Sequence, residues 1–322
     1  MPLSDLTLAE LNEFRPEVPG PSDFDAFWAD TLAEARAVPQ QLSLAPIDGA
    51  VTQFRVEDLT FRGFGGDPVR AWVIRPQSAG RLPAVVEFVG YNGGRGLPAE
   101  HLDWASAGFV HVVMDTRGQG SGWGGGGATP DPHGSGPAFE GFMTRGIEDP
   151  RTYFYRRVFT DAVRLVEAVR TLDFVDAERV AVTGGSQGGG ITLAVAGLLG
   201  GQVVGAMPDV PFLCHFRRSV ELTPDRPFTE VTKYLSVHRD QVDAVFRTLS
   251  YFDGAVFASR ATAPALFSVG LMDQIVLPSS VFAAYHRYGA AAKELAVYEF
   301  NGHEGGGVFH WQRQVEWLRG RR

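Results

Sequence analysis

One strand–turn–helix segment restricts the fold of this chain more than any other feature. An apolar run ending at Thr183 leads into Gly184-Gly-Ser186-Gln-Gly188, and a run of small apolar residues begins at Ile191. The glycines on either side of the serine leave room where side chains would collide across a sharp turn. Strand, turn and helix in this order predict a nucleophile elbow, which exposes one serine hydroxyl above the end of a parallel sheet.

The sequence around the elbow alternates between short apolar strands and helical patterns. Such alternation predicts an α/β fold with a mostly parallel sheet that is covered on both faces, as in α/β hydrolases, here as a single domain of residues 1–322. The strands are expected at 84–89, 109–114, 180–183, 203–207, 266–269 and 295–300, and the helices at 157–173, 189–199, 279–289 and 309–319.

The rest of the chain adds four features to this core. Residues 22–37 carry apolar side chains at helical spacing, and residues 51–61 and 69–74 predict an antiparallel hairpin. Residues 118–151 are rich in glycine and proline and predict a long ordered loop. Residues 212–251 predict a helical, lid-like insertion between two core strands.

Composition excludes several classes of protein. The hydrophobic fraction of 44% supports a full core, and the net charge of −8 disfavours nucleic acid or an anionic membrane as the main partner. Cys214 is the single cysteine, so the chain has neither an intrachain disulfide nor a cysteine-based zinc site. The first residues do not resemble a signal peptide and no apolar run of about 18 residues occurs. We expect a cytoplasmic protein without a membrane span.

A serine nucleophile requires a base that takes its proton and a carboxylate that orients the base. After an elbow of this kind the partners follow in the order Ser, Asp, His, each in a loop at the C-terminal end of a strand. Asp273 follows an apolar strand in the late half of the chain, whereas Asp209 ends the strand directly after the elbow, one position too early. Asp273 is therefore the predicted acid.

Three histidines follow this aspartate. His303 lies among turn residues just past the last predicted strand. His286 lies within a helical pattern and His310 at the start of one, which is typical of surface or packing histidines. We therefore predict a catalytic triad of Ser186, Asp273 and His303.

Acyl transfer also requires two backbone N–H groups that face the charge developing on the substrate oxygen. One is expected from Gln187, the residue after the nucleophile. The second should come from the glycine-rich turn after an earlier strand, where Tyr91 is the natural donor.

Two further motifs lack the residues or the context that their function requires. A His-Glu-x-x-His zinc motif starting at His303 would need a second histidine at position 307, which is Gly307. The segment Gly120–Gly125 satisfies Gly-x-Gly-x-x-Gly, but no helical pattern follows it, which disfavours a dinucleotide site. We predict neither a metal nor a cofactor.

Several motifs together resemble one family. These are Gly90-Tyr-Asn-Gly-Gly94, Asp115-Thr-Arg-Gly-Gln-Gly-Ser121, Gly184-Gly-Ser-Gln-Gly-Gly189 and Gly302-His-Glu304. The chain resembles the acetyl xylan esterase / cephalosporin C deacetylase enzymes of carbohydrate esterase family 7 over nearly its whole length. The resemblance implies a serine esterase that deacetylates small acetylated sugars and cephalosporin C without metal or organic cofactor. It also implies a homohexamer whose active sites face an internal cavity.

Residue by residue, the resemblance assigns the triad to Ser186, Asp273 and His303 and the oxyanion donors to Tyr91 and Gln187. One departure is that Val276-Leu277 stand where the family usually has Cys-Pro. The family's Arg-Gly-Gln-Gly corresponds to 117–120, and its arginine is expected to pair inside the fold near the elbow. Two alternatives stay open: another small-acyl hydrolase or peptidase on the same fold, and a non-catalytic binding protein.

Two groups of apolar side chains carry further expectations. Those of the 118–151 loop are expected in a groove or against a neighbouring subunit, because the loop has no regular element of its own to bury them. Those of the 212–251 insertion are expected to roof the serine and shorten the acyl pocket, with a core of their own as the alternative. The first group is Trp123, Phe139 and Phe142, and the second is Phe212, Leu213, Phe216, Leu235, Phe246, Leu249 and Tyr251.

Overall fold

The computed structural model describes residues 5–78, 80–134 and 136–321. In that part of the chain nine strands form one sheet, in the order β1-β2-β3-β5-β4-β6-β7-β8-β9. The strands are β1 (Ser43–Pro46), β2 (Phe54–Arg62), β3 (Pro68–Pro76), β4 (Leu82–Phe88), β5 (Val110–Met114), β6 (Val175–Gly185), β7 (Gly205–Asp209), β8 (Ala265–Gly270) and β9 (Lys293–Tyr298).

Helices connect and cover these strands. They are α1 (Leu8–Glu13), α2 (Phe24–Arg36), α3 (Asp103–Ser106), α4 (Phe154–Val169), α5 (Gln187–Leu199), α6 (Phe216–Leu222), α7 (Phe228–Val237), α8 (Val242–Ser250), α9 (Gly254–Ala258), α10 (Pro278–Arg287) and α11 (Gly307–Arg319). Short 3₁₀ turns occupy Phe64–Gly66, Pro98–Glu100 and Gly200–Gln202.

The predicted fold class is confirmed. β1, β2 and β3 are antiparallel, and β2 and β3 are the predicted hairpin. β3 joins the remaining strands through an antiparallel pairing with β5, and from β5 to β9 all neighbouring strands are parallel. The insertion between β7 and β8 is helical, as expected, and contains α6 to α9. The sequence did not predict the short elements β1, α1 and α3.

Successive residues of the central strands face opposite sides of the sheet, and both sides are buried. Val86 of β4 and Val182 of β6 belong to a large core that includes residues of α4 and α5. Their neighbours Val85 and Ala181 belong to a second core, formed with side chains of α3 and α11. A strand buried on both faces has no polar alternation, which explains the continuous apolar runs in the sequence.

The sheet changes its winding direction at β4, because β5 and β6 pair with opposite edges of that strand. Ligands of open α/β sheets bind in the crevice at the carboxyl ends of the strands beside such a switch point. The loops that follow β4, β6, β8 and β9 all leave from this edge of the sheet.

The turn from β6 into α5 has the strained geometry expected of a nucleophile elbow. Ser186 has φ 56° and ψ −117°, which few non-glycine residues adopt. Its backbone N–H donates to the carbonyl of Asp209 on the adjacent strand, at 2.9 Å. A Cβ on Gly184 would lie 2.6 Å from the backbone of Gly188, and one on Gly188 would overlap the carbonyl of Phe88. A side chain at either position would collide with the backbone, so both positions require glycine.

Among the described helices none is both long and apolar enough to cross a membrane.

The close contact at the elbow can be tested by adding one methyl group. We expect Gly188→Ala to lower the free energy of unfolding by about 1–3 kcal/mol, because the new methyl overlaps backbone that cannot move away. Gly185→Ala is the matched control, since a Cβ there meets nothing within 4 Å. Urea unfolding of both variants checks this, and equal stabilities would contradict it.

Candidate active site

Two of the predicted residues form a hydrogen-bonded pair at the ends of adjacent strands. Asp273 follows β8 and His303 follows β9, and Nδ1 of His303 lies 2.8 Å from Oδ2 of Asp273. Oδ1 of the aspartate accepts from the backbone N–H groups of Ile275 and Val276, both at 2.9 Å. The carboxylate is buried and fixed from both sides, so it orients the imidazole and leaves Nε2 for another partner.

Ser186 and His303 line the same cavity, which has a volume of about 960 Å³. Tyr91 lines it as well, Asp273 lies behind the histidine, and Gln187 follows the serine at the start of α5. The structure thus brings all five predicted residues to one edge of the sheet. Their catalytic roles stay a prediction.

The two expected oxyanion donors are both available. Within the described residues, neither the backbone N–H of Tyr91 nor that of Gln187 donates a hydrogen bond. The buried side chain of Gln187 donates to the carbonyl of Val89 at 3.1 Å and accepts from Gln119 and Tyr155, each at 2.9 Å. These bonds connect the start of α5 to the loop after β4.

The ring of Tyr91 is anchored by a residue that the sequence analysis missed. Its hydroxyl lies 2.8 Å from both carboxylate oxygens of Glu230 on α7 and accepts from the N–H of Phe142 at 2.6 Å. Glu230 also accepts from the N–H of Met143 at 3.1 Å. Burial raises the pKa of Glu230, and burial together with the charge of Glu230 raises the pKa of Tyr91. The phenol therefore stays a donor.

Asp209 and His310, which the sequence disfavours as triad members, contact each other at another part of the cavity. Nε2 of His310 lies 3.0 Å from Oδ1 of Asp209, and its Nδ1 lies 3.0 Å from the hydroxyl of Tyr298. The amide of Gln314 on α11 donates to both oxygens of Asp209, at 3.0 and 2.9 Å. His310 is a buried packing histidine, and His286 contacts the carbonyl of Leu11.

Arg117 pairs inside the fold, as expected, with partners on α4 and on the turn between β2 and β3. It is fully buried and donates to Asp161 of α4 at 2.6 and 2.9 Å and to Asp67 at 2.9 Å. The residue of this motif that reaches the elbow is Gln119, through its bond to Gln187. The arginine therefore fastens the loop after β5 to α4.

The expectation that the insertion's aromatic side chains roof the serine is wrong. Five of the seven apolar residues are buried in the large core, two are partly buried against it, and none lines the cavity. The insertion contributes Arg226, Pro227 and Glu230 to the cavity wall instead. In the sequence, apolar character alone does not distinguish a residue of the core from a residue that lines the cavity.

Of the three aromatic side chains of the long loop, Trp123 and Phe142 line the cavity, and contact with a neighbouring subunit stays a prediction. Phe142 is buried and Phe139 packs partly buried against the same core, so the chain covers both by itself. Trp123 is 54% exposed and lines the mouth of the cavity.

Among the described residues, one group has ligand atoms close enough together for a metal ion: Glu87, Asp103 and His111. Both ring nitrogens of the buried His111 are already occupied, Nε2 by Glu87 at 2.7 Å and Nδ1 by the carbonyl of His101 at 3.0 Å. Burial opposes a charge on His111, but the hydrogen bond and charge of Glu87, with Asp103, raise its pKa. Both nitrogens of His111 thus have hydrogen-bond partners within the protein, which disfavours their use as metal ligands.

The sheet order, the strained elbow and the polar residues at the strand ends define an α/β hydrolase. Comparison with known proteins narrows the class. The acetyl xylan esterase (AXE1) family matches residues 1–321, and the chain belongs to this family. The membership indicates a carboxylic ester hydrolase.

Two solved structures are similar over almost their full length. The acetyl xylan esterase from Paenibacillus sp. R4 has 37% identity and a TM-score of 0.91, covering 98% of this chain and 100% of that one. Acetyl xylan esterase 1 from Thermoanaerobacterium sp. JW/SL YS485 has 34% identity and a TM-score of 0.88, covering 97% and 99%.

A curated relative, acetyl esterase Axe7A from Xylanibacter ruminicola, is 25% identical over an alignment of 316 residues that covers 90% of this chain. The match spans 65% of that relative's length.

Proposed function

We propose that this protein is a serine esterase that removes acetyl groups from small acetylated carbohydrates, such as xylo-oligosaccharides, and from cephalosporin C. The observation that carries the proposal is the Asp273–His303 pair beside Ser186 on its strained elbow, in one cavity of a chain that belongs to the acetyl xylan esterase family. The names of the two similar structures support the acetylated sugar as substrate.

In the first half of the proposed reaction His303 takes the proton of the Ser186 hydroxyl as the serine oxygen attacks the acetyl carbonyl. The backbone N–H groups of Tyr91 and Gln187 donate hydrogen bonds to the carbonyl oxygen and stabilise the negative charge that develops on it. The intermediate collapses, His303 gives its proton to the sugar oxygen, and the deacetylated sugar leaves.

The second half repeats these steps with water. His303 takes a proton from a water molecule, which attacks the acetyl-serine carbonyl, and the same two N–H groups stabilise the new oxyanion. Collapse returns the proton to Ser186 and releases acetic acid, which ionises to acetate in water. Throughout, the carboxylate of Asp273 holds the imidazole and stabilises its charged form.

The lining of the cavity combines apolar and polar side chains, as binding of an acetylated sugar requires. Phe142, Pro227 and Ile275 offer apolar contacts that suit an acetyl methyl group. Glu87 and Asp103 offer acceptors for hydroxyl groups of a sugar.

The triad assignment is tested by Ser186→Ala, for which we expect esterase activity to fall by about 10⁴–10⁶ while the melting temperature stays that of the wild type. Asp273→Asn should also be severe, because an amide holds the imidazole in the wrong tautomer. His286→Ala is the control and should keep its activity, since that histidine contacts α1. More than a few per cent of wild-type activity in Ser186→Ala would overturn the assignment.

The proposed action on acetyl esters predicts a preference for short acyl groups. Each methylene that finds no space costs about 1–3 kcal/mol in transition-state binding. We expect kcat/KM for p-nitrophenyl esters to be highest for acetate and to fall steeply from propionate onward. Ile275→Ala should shift the optimum toward longer chains, because it removes wall volume. A flat series from two to eight carbons in the wild type would contradict the prediction.

We also propose that the protein forms the homohexamer that the family resemblance implies. Phe300 and Phe309 are each 81% exposed and lie on either side of the His303 loop, and exposed aromatic side chains favour association. Light scattering at micromolar concentration should give six times the chain mass of 34.9 kDa. The double variant Phe300→Asp, Phe309→Asp should lower that mass, whereas Val237→Asp on another surface should keep it. A monomeric wild type would refute the proposal.

A further inference from the structure

The glycine-rich segment Gly120–Gly125, whose spacing matches a dinucleotide-binding motif, packs against the loop after β4. The N–H of Gly96 donates to the carbonyl of Gly126 at 2.9 Å, and that of Gly122 donates to the carbonyl of Asn92 at 3.0 Å. A Cβ on Gly122 would lie 2.8 Å from the Asn92 side chain. The glycines thus let two loops touch along their backbones, and the segment is rigid although it has no regular structure.

This packing fixes the one large side chain that the segment carries. Nε1 of Trp123 donates to the carbonyl of Tyr91 at 2.7 Å. One edge of the indole covers Gly93, where a Cβ would lie 2.7 Å from Cε2 of the ring, and reaches Gly90. The remainder of the ring is open to solvent at the mouth of the cavity that contains Ser186. The indole therefore presents a fixed aromatic surface to the cavity that also contains the nucleophile.

We propose that Trp123 is a stacking platform for the pyranose ring that carries the acetyl group. The proposal rests on the function proposed above and extends it by assigning a binding site for the sugar. The C–H face of a pyranose is apolar and packs against an aromatic ring, while its hydroxyl groups stay free for polar partners. Because the indole is already fixed before the substrate arrives, it loses little conformational freedom on binding. The free energy of its contact with the sugar therefore contributes to affinity.

The same indole also holds the carbonyl of Tyr91, so the experiment has to separate stacking from positioning of the oxyanion donor. Ethyl acetate has no sugar ring, whereas acetylated xylobiose has one, and both undergo the same chemistry. Loss of positioning lowers kcat/KM for both esters, but loss of stacking lowers it for the sugar ester alone.

We expect Trp123→Ala to lower kcat/KM for acetylated xylobiose at least about tenfold more than for ethyl acetate. The additional loss with the sugar ester should appear in KM. Calorimetry in the Ser186→Ala background should show the same weakening of sugar-ester binding. Trp123→Phe keeps a ring but no N–H donor, so it should recover most of the sugar-specific loss. Leu222→Ala, which removes a side chain of similar exposure (51%) outside the cavity, should behave as the wild type.

Equal losses with both esters in Trp123→Ala would overturn the platform and leave only a positioning role, without affecting the proposed esterase. A wild type that hydrolyses ethyl acetate but not acetylated xylobiose would overturn the sugar substrate and the platform together. Inactivity toward both esters would overturn the proposed function itself.

Discussion

The cavity depends on the absence of side chains where α5 begins. Gly188 lies against the carbonyl of Phe88 at the end of β4, and Gly184 lies against the backbone of Gly188. This contact brings the loop after β4 next to the loop after β6, so the backbone of Tyr91 and the hydroxyl of Ser186 share one space. The hydrogen bond from the Ser186 N–H to the carbonyl of Asp209 holds the strained turn from the side of β7. The strained backbone angles of Ser186 persist because the neighbouring strands hold both sides of the turn.

Much of this arrangement could be predicted from the sequence, because its determinants are local or follow chain order. The elbow is a five-residue pattern between a strand and a helix, and the acid and the base follow in a fixed order at strand ends. The core strands are continuous apolar runs because both of their faces are buried. Short elements such as β1 and α3 have too few residues for a periodic signal.

The sequence could not predict contacts between distant segments. Glu230 is 139 residues from Tyr91, and nothing in the helix pattern of α7 marks it as a hydrogen-bond acceptor. The insertion's apolar side chains enter the core, whereas its polar residues Arg226 and Glu230 line the cavity, and the sequence does not show which helix faces turn toward either. The exposed Trp123 and the buried Phe142 lie in one glycine- and proline-rich loop, and only the path of the backbone separates them.

The position of Glu230 has a consequence for how the protein loses activity on heating. One carboxylate joins an insertion helix, the long loop at Met143 and the cavity loop at Tyr91. If α7 moves away, the tyrosine hydroxyl and the Met143 amide lose their acceptor at the same moment. Melting of this peripheral helix and disorder of the cavity wall are therefore one cooperative event, which needs no disruption of the sheet. Such local opening is expected at lower temperature than global unfolding, so inactivation should precede denaturation and reverse on cooling.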